Sequence, residues 1–367
     1  MFGMHEIGKM DQETAARLQE DIRRWGRELG FDAIGFAGTD LGAAEAGLAA
    51  WLAAGSHGEM DYMAAHRSDT GYKRARPAEL VPGTRCVITA RLNYRSPGAD
   101  SRAALADPER AFVSRYALGR DYHKLLRHRL QQLADRIERE IGRFGYRAFT
   151  DSAPVMEVEL AANSGLGWRG KHTLLLDREA GSYFFLGEIF VDLPFPADAP
   201  VTDHCGTCTA CIDACPTAAI TAPYRLDARL CISYLTIELK GEIPPALRAS
   251  LGNRIYGCDD CQLACPWNRF APLSGEPDFA PRNDLDQARL IELFAWEEAE
   301  FSERLAGSAI RRIGHERWLR NIAVALGNAP FSDDAVAALR ARAAHPSPLV
   351  REHVAWALAR LEGKAKG

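Results

Sequence analysis

Apolar residues recur at helical spacing near the start of the chain. Between residues 11 and 30, Leu18, Ile22, Trp25 and Leu29 form one stripe, and Gly30 follows as a stop, which predicts an amphipathic helix. FDAIGFAG (31–38) then predicts a short strand, residues 41–54 a helix, and RCVITARLNY (85–94) the clearest strand. A long amphipathic helix is predicted over 121–144, where Leu125, Leu126, Leu130, Leu133, Ile137 and Ile141 share a face. GYRAFTDSAP (145–154) reads as strand and turn, PVMEVELAANSG (154–165) as helix, HTLLLD (172–177) as strand and SYFFLGEIFVDL (182–193) as a further apolar strand. This alternation predicts an α/β or α+β region.

The pattern then changes twice. The Pro-rich stretch LPFPADAP (193–200) marks one boundary, and PLSGEPDFAPRND (272–284) marks another. Beyond it the chain is almost wholly helical in pattern. Leu319, Ile322, Ala323 and Leu326 form one stripe; Val350, Val354, Ala357, Leu358 and Leu361 form a second. HPSPLVREHVAWALARL has the look of the second helix of a HEAT repeat, so that one or two helix pairs stack as a small solenoid. An unrelated helical cap is the plainer alternative. The expected fold class is α+β multidomain, in three parts: 1–194, 195–284 and 285–367.

Composition narrows the function. The 367 residues are 47% hydrophobic and 26% charged with a net charge of −4, which excludes disorder and a wholesale polybasic binder. No apolar run reaches the ~18 residues of a membrane span. MFGMHEIGKMDQE lacks the apolar region of a signal peptide. Arg23-Arg24 precedes an amphipathic, charged segment, so it reads as a helix face and not as a twin-arginine signal. A cytoplasmic location without a membrane partner is expected. The tail from 301 to 367 is basic against this background, with 11 Lys or Arg and 6 Asp or Glu. Arg311, Arg312, Arg317 and Arg320 are candidate phosphate contacts there, solvated helix faces being the plain alternative.

Cysteine placement is the most specific signal. Eight of nine cysteines lie between 205 and 265; Cys86, inside a predicted strand, reads as a small buried hydrophobe. Cys205-x2-Cys208-x2-Cys211-x3-Cys215-Pro216 has bacterial ferredoxin spacing for a [4Fe–4S] cluster. Cys258-x2-Cys261-x3-Cys265-Pro266 repeats it, with Cys231 displaced upstream by an insertion. In two-cluster modules the last cysteine of each run serves the other cluster. That predicts Cys205, Cys208, Cys211 and Cys265 on one cluster and Cys215, Cys231, Cys258 and Cys261 on the other. Zinc is the alternative, but it favours paired C-x2-C hairpins or cysteines mixed with histidine.

Six segments carry a resemblance: RARPAELVPGTRCVI (74–88), RYALGRDYHKLLRHRL (115–130), TDSAPVMEVELAANSGLGWRGKHTLLL (150–176), FFLGEI (184–189), CISYLTIELKGEIP (231–244) and GCDDCQLACPWN (257–268). Together they resemble the epoxyqueuosine reductase family over almost the whole chain. The resemblance implies a nitroreductase-like α/β cobalamin-binding domain (1–194), a double [4Fe–4S] ferredoxin-like module (195–284) and a HEAT-like helical domain contacting tRNA (285–367). It implies base-off cobalamin between the first two parts; an external electron donor and action as a monomer are further expectations. The implied reaction removes the epoxide oxygen of epoxyqueuosine at the tRNA wobble position, giving queuosine. Corrinoid reductive dehalogenases share the general architecture, and a two-cluster electron carrier is the non-enzymatic alternative.

The resemblance also implies site residues. Asp151 matches the family's proton donor, a role that needs a carboxyl pKa raised by burial. From the residues alone, Asp151 and Ser152 before Pro154 read equally as a helix N-cap. Arg74 matches a family arginine near the corrin. Tyr94, Ser233 and Asp259 are further cofactor candidates. GLGWRGKH (165–172) mimics a P-loop, but His172 stands where Ser or Thr is needed, and a helix precedes where a strand should. It reads better as a glycine loop approaching a flat cofactor, with Trp168 and Lys171 beside it. His123 and His172 receive no cobalt-ligand role. Lys240 is a further candidate RNA contact, and a splayed nucleoside entering a pocket suits a modified anticodon base.

Overall fold

The structure, a computed structural model, describes residues 11–98 and 100–365. The first ten residues, read above for an export signal, lie outside that range. Helix α1 (Gln12–Glu28) begins where the Asp11 carboxylate accepts the Thr14 N–H at 2.7 Å, and it buries Leu18, Ile22 and Trp25. Strands β1 (Ala33–Ala37), β2 (Cys86–Asn93), β3 (Tyr146–Thr150) and β4 (Phe184–Val191) form one sheet in the order β1-β2-β4-β3, antiparallel at every pairing. Parallel neighbours would need crossover helices between them. Of the two alternatives above, the antiparallel ladder therefore selects α+β for this region.

Helix α2 (Tyr122–Ile141) lies with α1 on one face of the sheet, burying Leu126, Leu130, Leu133 and Ile137 against Ile88 and Ile189. Each such side chain contributes about 1.5–3 kcal/mol by leaving water. The approach is close: a Cβ on Gly187 would stand 2.9 Å from Leu130 Cδ1. Cys86 is fully buried in the same layer. Helix α3 (Glu157–Asn163) covers the other face, where Leu160 meets Val87, Phe149 and Phe190.

One expectation changes. Residues 172–177 do not form a strand; only Leu175–Leu176 pairs, with Trp168–Arg169, in a short hairpin whose turn holds Thr173 at φ +73°. The Pro-rich 193–200 stretch is anchored to the first part of the chain. Leu193 and Phe195 are buried, Gln19 Nε2 donates to the Pro196 carbonyl at 2.8 Å, and the Phe36 N–H donates to Asp198 Oδ2 at 2.9 Å.

The cysteine-rich part carries α4 (Ala210–Asp213), α5 (Ile232–Ile237) and α6 (Asp260–Ala264). The tail ends in α7 (Gly314–Asn328), α8 (Asp333–Ala341) and α9 (Pro348–Ala365). The expected stripes are buried, except that Leu358 is only partly so. This core is shared with Ala111, Val113, Leu118, Ile255 and Tyr256, so apolar packing runs across residue 284 without a break. Among the described residues no helix is long and apolar enough to cross a membrane.

Candidate active site

The ends of β2 and β4, the loop after β3, the hairpin tip and the cysteine-rich part enclose a cavity of about 400 Å³. Its walls are mostly aromatic and aliphatic, including Tyr94, Tyr116, Phe184, Leu174 and Ile232. Asp151, Glu157, Cys215, Cys231, Cys258 and Cys261 face the same space. An apolar cleft with a few convergent polar groups is the usual form of a cofactor or substrate site.

Asp151 is positioned by strain and by an arginine clasp. It follows the last residue of β3 and takes φ +24°, in the left-handed region that non-glycine residues avoid. The buried Arg74 guanidinium donates to the carbonyls of Ala153 and Val155 at 3.3 Å and of Tyr62 at 3.2 Å, gripping the loop on its far side. Asp151 does not cap a helix: α3 begins six residues later, with Met156 at the capping position. Its side chain is 54% exposed, toward the cavity that it lines.

Two residues from the first turn of α2 meet Asp151. Tyr122 donates its hydroxyl proton to Asp151 Oδ2 at 2.5 Å, and His123 Nε2 lies 3.3 Å from the same oxygen. His123 Nδ1 is 2.6 Å from Asp121 Oδ1, and that oxygen also caps the helix by accepting the His123 N–H. Burial alone pushes the Asp151 carboxyl up, but the hydrogen bonds from His123 and Tyr122 outweigh it and hold the carboxyl below its ordinary value. His123 is pushed up to about 9 by its bonds to Asp121 and Asp151. At neutral pH the proton of this pair therefore rests on the imidazole. The expected raised pKa of Asp151 is corrected accordingly: donors converge on its oxygens more strongly than burial acts on its charge.

The cysteines fall into two quartets, none of them disulfide-bonded. Cys205, Cys208, Cys211 and Cys265 line a second cavity of about 180 Å³, while Cys215, Cys231, Cys258 and Cys261 line the large one. The last cysteine of each run thus stands with three from the other run. Each quartet is spread around a volume; among the described residues no three His, Cys, Asp or Glu side chains converge on a single-ion point.

The other predicted residues divide. Tyr94 and Ser233 line the large cavity. Arg74 does not, since its terminal nitrogens are taken by the loop carbonyls named above. Trp168 and Lys171 are also corrected. Lys171 Nζ donates to the carbonyls of Gly206 and Cys208 at 2.6 and 2.9 Å, and the buried Trp168 ring packs on His204 and Trp267, so both residues wall the first quartet. Gly167 explains the hairpin: a Cβ there would stand 2.2 Å from the Leu176 carbonyl. Asp259 is buried away from the cavity, accepting from the Ser114 hydroxyl and, at 2.8 Å, the Arg115 N–H.

Among the basic residues, Arg320 is corrected outright. It is fully buried and donates to the carbonyls of Leu235, Leu239 and Gly241, so no phosphate can reach it. Arg317 is half-buried on the carbonyls of Ile237 and Ile313. Arg312 is exposed and paired with Glu238 at 2.5 Å; Arg311 and Lys240 are exposed. Sequence reasoning missed Tyr122, His123, Glu157 and Glu188. The one charge inside the apolar run FFLGEIFV was the available signal for Glu188.

The family described as epoxyqueuosine reductase QueG matches residues 74–152, and that described as a 4Fe-4S double cluster binding domain matches residues 204–268. An epoxyqueuosine reductase of Pseudomonas aeruginosa is 63% identical over 348 residues, covering 94% of this chain and 95% of that protein. A solved epoxyqueuosine reductase with an epoxyqueuosine-modified tRNA-Tyr stem loop is similar at a TM-score of 0.85 and 29% identity, covering 95% of this chain and 91% of that one. A Bacillus subtilis epoxyqueuosine reductase, solved with its catalytic aspartate loop swung out of the active site, is similar at a TM-score of 0.83 and 29% identity, with the same coverage.

Proposed function

This chain belongs to the epoxyqueuosine reductase family, an oxidoreductase family, and carries a double [4Fe–4S] cluster domain; from that premise we propose that it reduces epoxyqueuosine in tRNA to queuosine, with cobalamin in the large cavity and Asp151 delivering a proton. One observation carries this reading: a cysteine quartet and Asp151 wall the same cavity. A quartet spread around a volume suits a four-iron cluster better than one zinc ion. In this reading Cys205, Cys208, Cys211 and Cys265 hold the cluster nearer an external donor, and Cys215, Cys231, Cys258 and Cys261 hold the one facing the cavity.

The apolar walls fit a flat, largely apolar cofactor face. Tyr94, Ser233 and Leu174 would hold it, and cobalamin bound there supplies a strongly reducing, nucleophilic metal. The reaction takes up two electrons and two protons; both epoxide C–O bonds break, a C=C bond forms, and oxygen leaves as water. An alkoxide leaves poorly, so the leaving oxygen must be protonated. Asp151 Oδ2 faces the cavity, and the His123 Nε2 proton sits beside that oxygen. As negative charge develops on the epoxide oxygen, His123 gives its Nε2 proton to the Asp151 carboxylate, and Asp151 passes that proton to the leaving oxygen, so the pair supplies one proton. The similar Bacillus subtilis enzyme carries a catalytic aspartate loop that can swing out of its active site, which supports this role. The same reading assigns 1–194 to the cofactor, 195–284 to the clusters and 285–367 to tRNA, with Arg311, Arg312 and Lys240 as exposed phosphate contacts. A tRNA substrate places the work in the cytoplasm.

The test is turnover. Oxygen-protected enzyme, supplied with cobalamin, a chemical reductant and an epoxyqueuosine-containing tRNA stem loop, should yield queuosine, and omission of cobalamin should abolish it. Substrate unchanged in the complete mixture would overturn the proposal.

A further inference from the structure

Glu188 sits in the middle of β4, opposite Thr89 and Phe149, sealed between the sheet and α3. Among the described residues, neither of its carboxyl oxygens has a hydrogen-bond donor, and neither does Glu157 Oε1. The two side chains lie within hydrogen-bonding reach of each other. Two ionised carboxylates there would leave buried charges and acceptors unanswered, which a buried site disfavours strongly. Two positive groups, His123 and Arg74, oppose the rise at Glu157 but are outweighed by burial and the Asp151 charge. The groups acting on Glu157 are Asp151, Glu188, His123 and Arg74, and those acting on Glu188 are Glu157 and Asp151. Arg74 spends its terminal nitrogens on carbonyls. Protons supply the missing donors. Consistently, burial and then the Asp151 charge push Glu157 up to about 8, and burial and then Glu157 push Glu188 far above the ordinary carboxylate range.

We propose that Glu157 and Glu188 form a proton store that reloads Asp151 within a single turnover. The inference rests on the reaction read above. That reaction consumes two protons, and the Asp151–His123 pair holds one. A cofactor and a nucleoside filling the cavity exclude bulk water, so the second proton must already be inside. Glu157 lines the same cavity as Asp151, and the two groups act on each other electrostatically. Once Asp151 has given up its proton, the Glu157 carboxyl transfers one to the Asp151 carboxylate. The Glu188 carboxyl then donates a hydrogen bond to the Glu157 carboxylate so formed. Electrons come only from the external donor, and the store refills from water when product leaves. Glu157 is thus a relay residue, and Glu188 is a positioning residue that keeps it loaded.

Infrared spectroscopy of the cluster-loaded protein reads the store without turnover. A protonated-carboxyl C=O stretch, sensitive to H/D exchange, should persist at pH 7, fade as pH rises past about 8, and weaken in Glu157→Gln and in Glu188→Gln. No such band at pH 7 in the wild type would overturn the proposal, whether or not either variant folds. In single turnover, Glu157→Gln should retain its iron yet slow queuosine formation about tenfold or more. Wild-type rates in that variant would also overturn it. A wild-type protein that shows the band but makes no queuosine would instead remove the reaction assigned above and leave the protonated pair standing.

Discussion

Asp121→Asn separates charge from shape at the proton-donating end of the site. Asp121 is the largest cause of the raised His123 pKa, through a contact of 2.6 Å, with Asp151 second at 3.3 Å. Asparagine still caps α2, because its side-chain oxygen still accepts the His123 N–H. Only the negative charge is lost. A rise from 6.5 to about 9 corresponds to at most about 3.4 kcal/mol in favour of the imidazolium. The ring is 33% exposed and water screens it, so about 2 kcal/mol is the working value, with the larger share from Asp121. Losing that share lowers the pKa of His123 by about one unit. A histidine with a raised pKa keeps its proton until pH passes that raised value, so the variant must lose its proton at lower pH than the wild type. Single-turnover rates on an epoxyqueuosine stem loop, read as nucleosides by mass spectrometry, should be equal near pH 6. They should differ by about twofold near pH 8 and about fivefold near pH 9, with the alkaline limb shifted down by about one pH unit. A loss of the same size at every pH, or an alkaline limb that does not move, would refute the assignment of the resting proton to His123.

Other outcomes follow from single contacts. Asp151→Asn should cut single-turnover queuosine formation by about 10²–10⁴ while cluster absorption and cobalamin binding are unchanged. Lys171→Met removes the donors to the Gly206 and Cys208 carbonyls, so a chelator should strip iron from the first quartet faster than from the second, as followed by iron release. Arg320→Ala should destabilise the chain by about 3 kcal/mol or more in denaturant titration, by leaving buried carbonyls without donors. Arg311→Glu should leave the melting temperature unchanged, yet weaken stem-loop binding and reduce its salt dependence by about one phosphate contact.

What could be read from the sequence followed how local each feature is. The cysteine quartets were legible because short spacers confine three thiolates to one loop, and the Cys-Pro ending turns the fourth away. The long helix over 121–144 was legible because its stripe alone dictates burial. The Asp151 environment was not, because its partners Tyr122 and His123 lie almost thirty residues upstream, and their sequence context, a capping aspartate and a helix start, is commonplace. Trp168 and Lys171 were misassigned for a related reason. Glycines that permit close backbone approach look alike whether they face a cofactor or, as Gly167 does, a neighbouring strand. Arg320 looked like a surface cation until its carbonyl partners came into view; its place among Leu319, Ile322 and Ala323 was the warning that it points inward.

In the proposed reaction, electrons reach the cavity through two cysteine-bound iron–sulfur clusters. Iron, acid-labile sulfide and zinc measured together on oxygen-protected protein test it most directly. About eight irons and eight sulfides per chain, with a cobalt EPR signal once cobalamin is added, are expected for two four-iron clusters beside a corrin site. Stoichiometric zinc with little iron would contradict the account at its root.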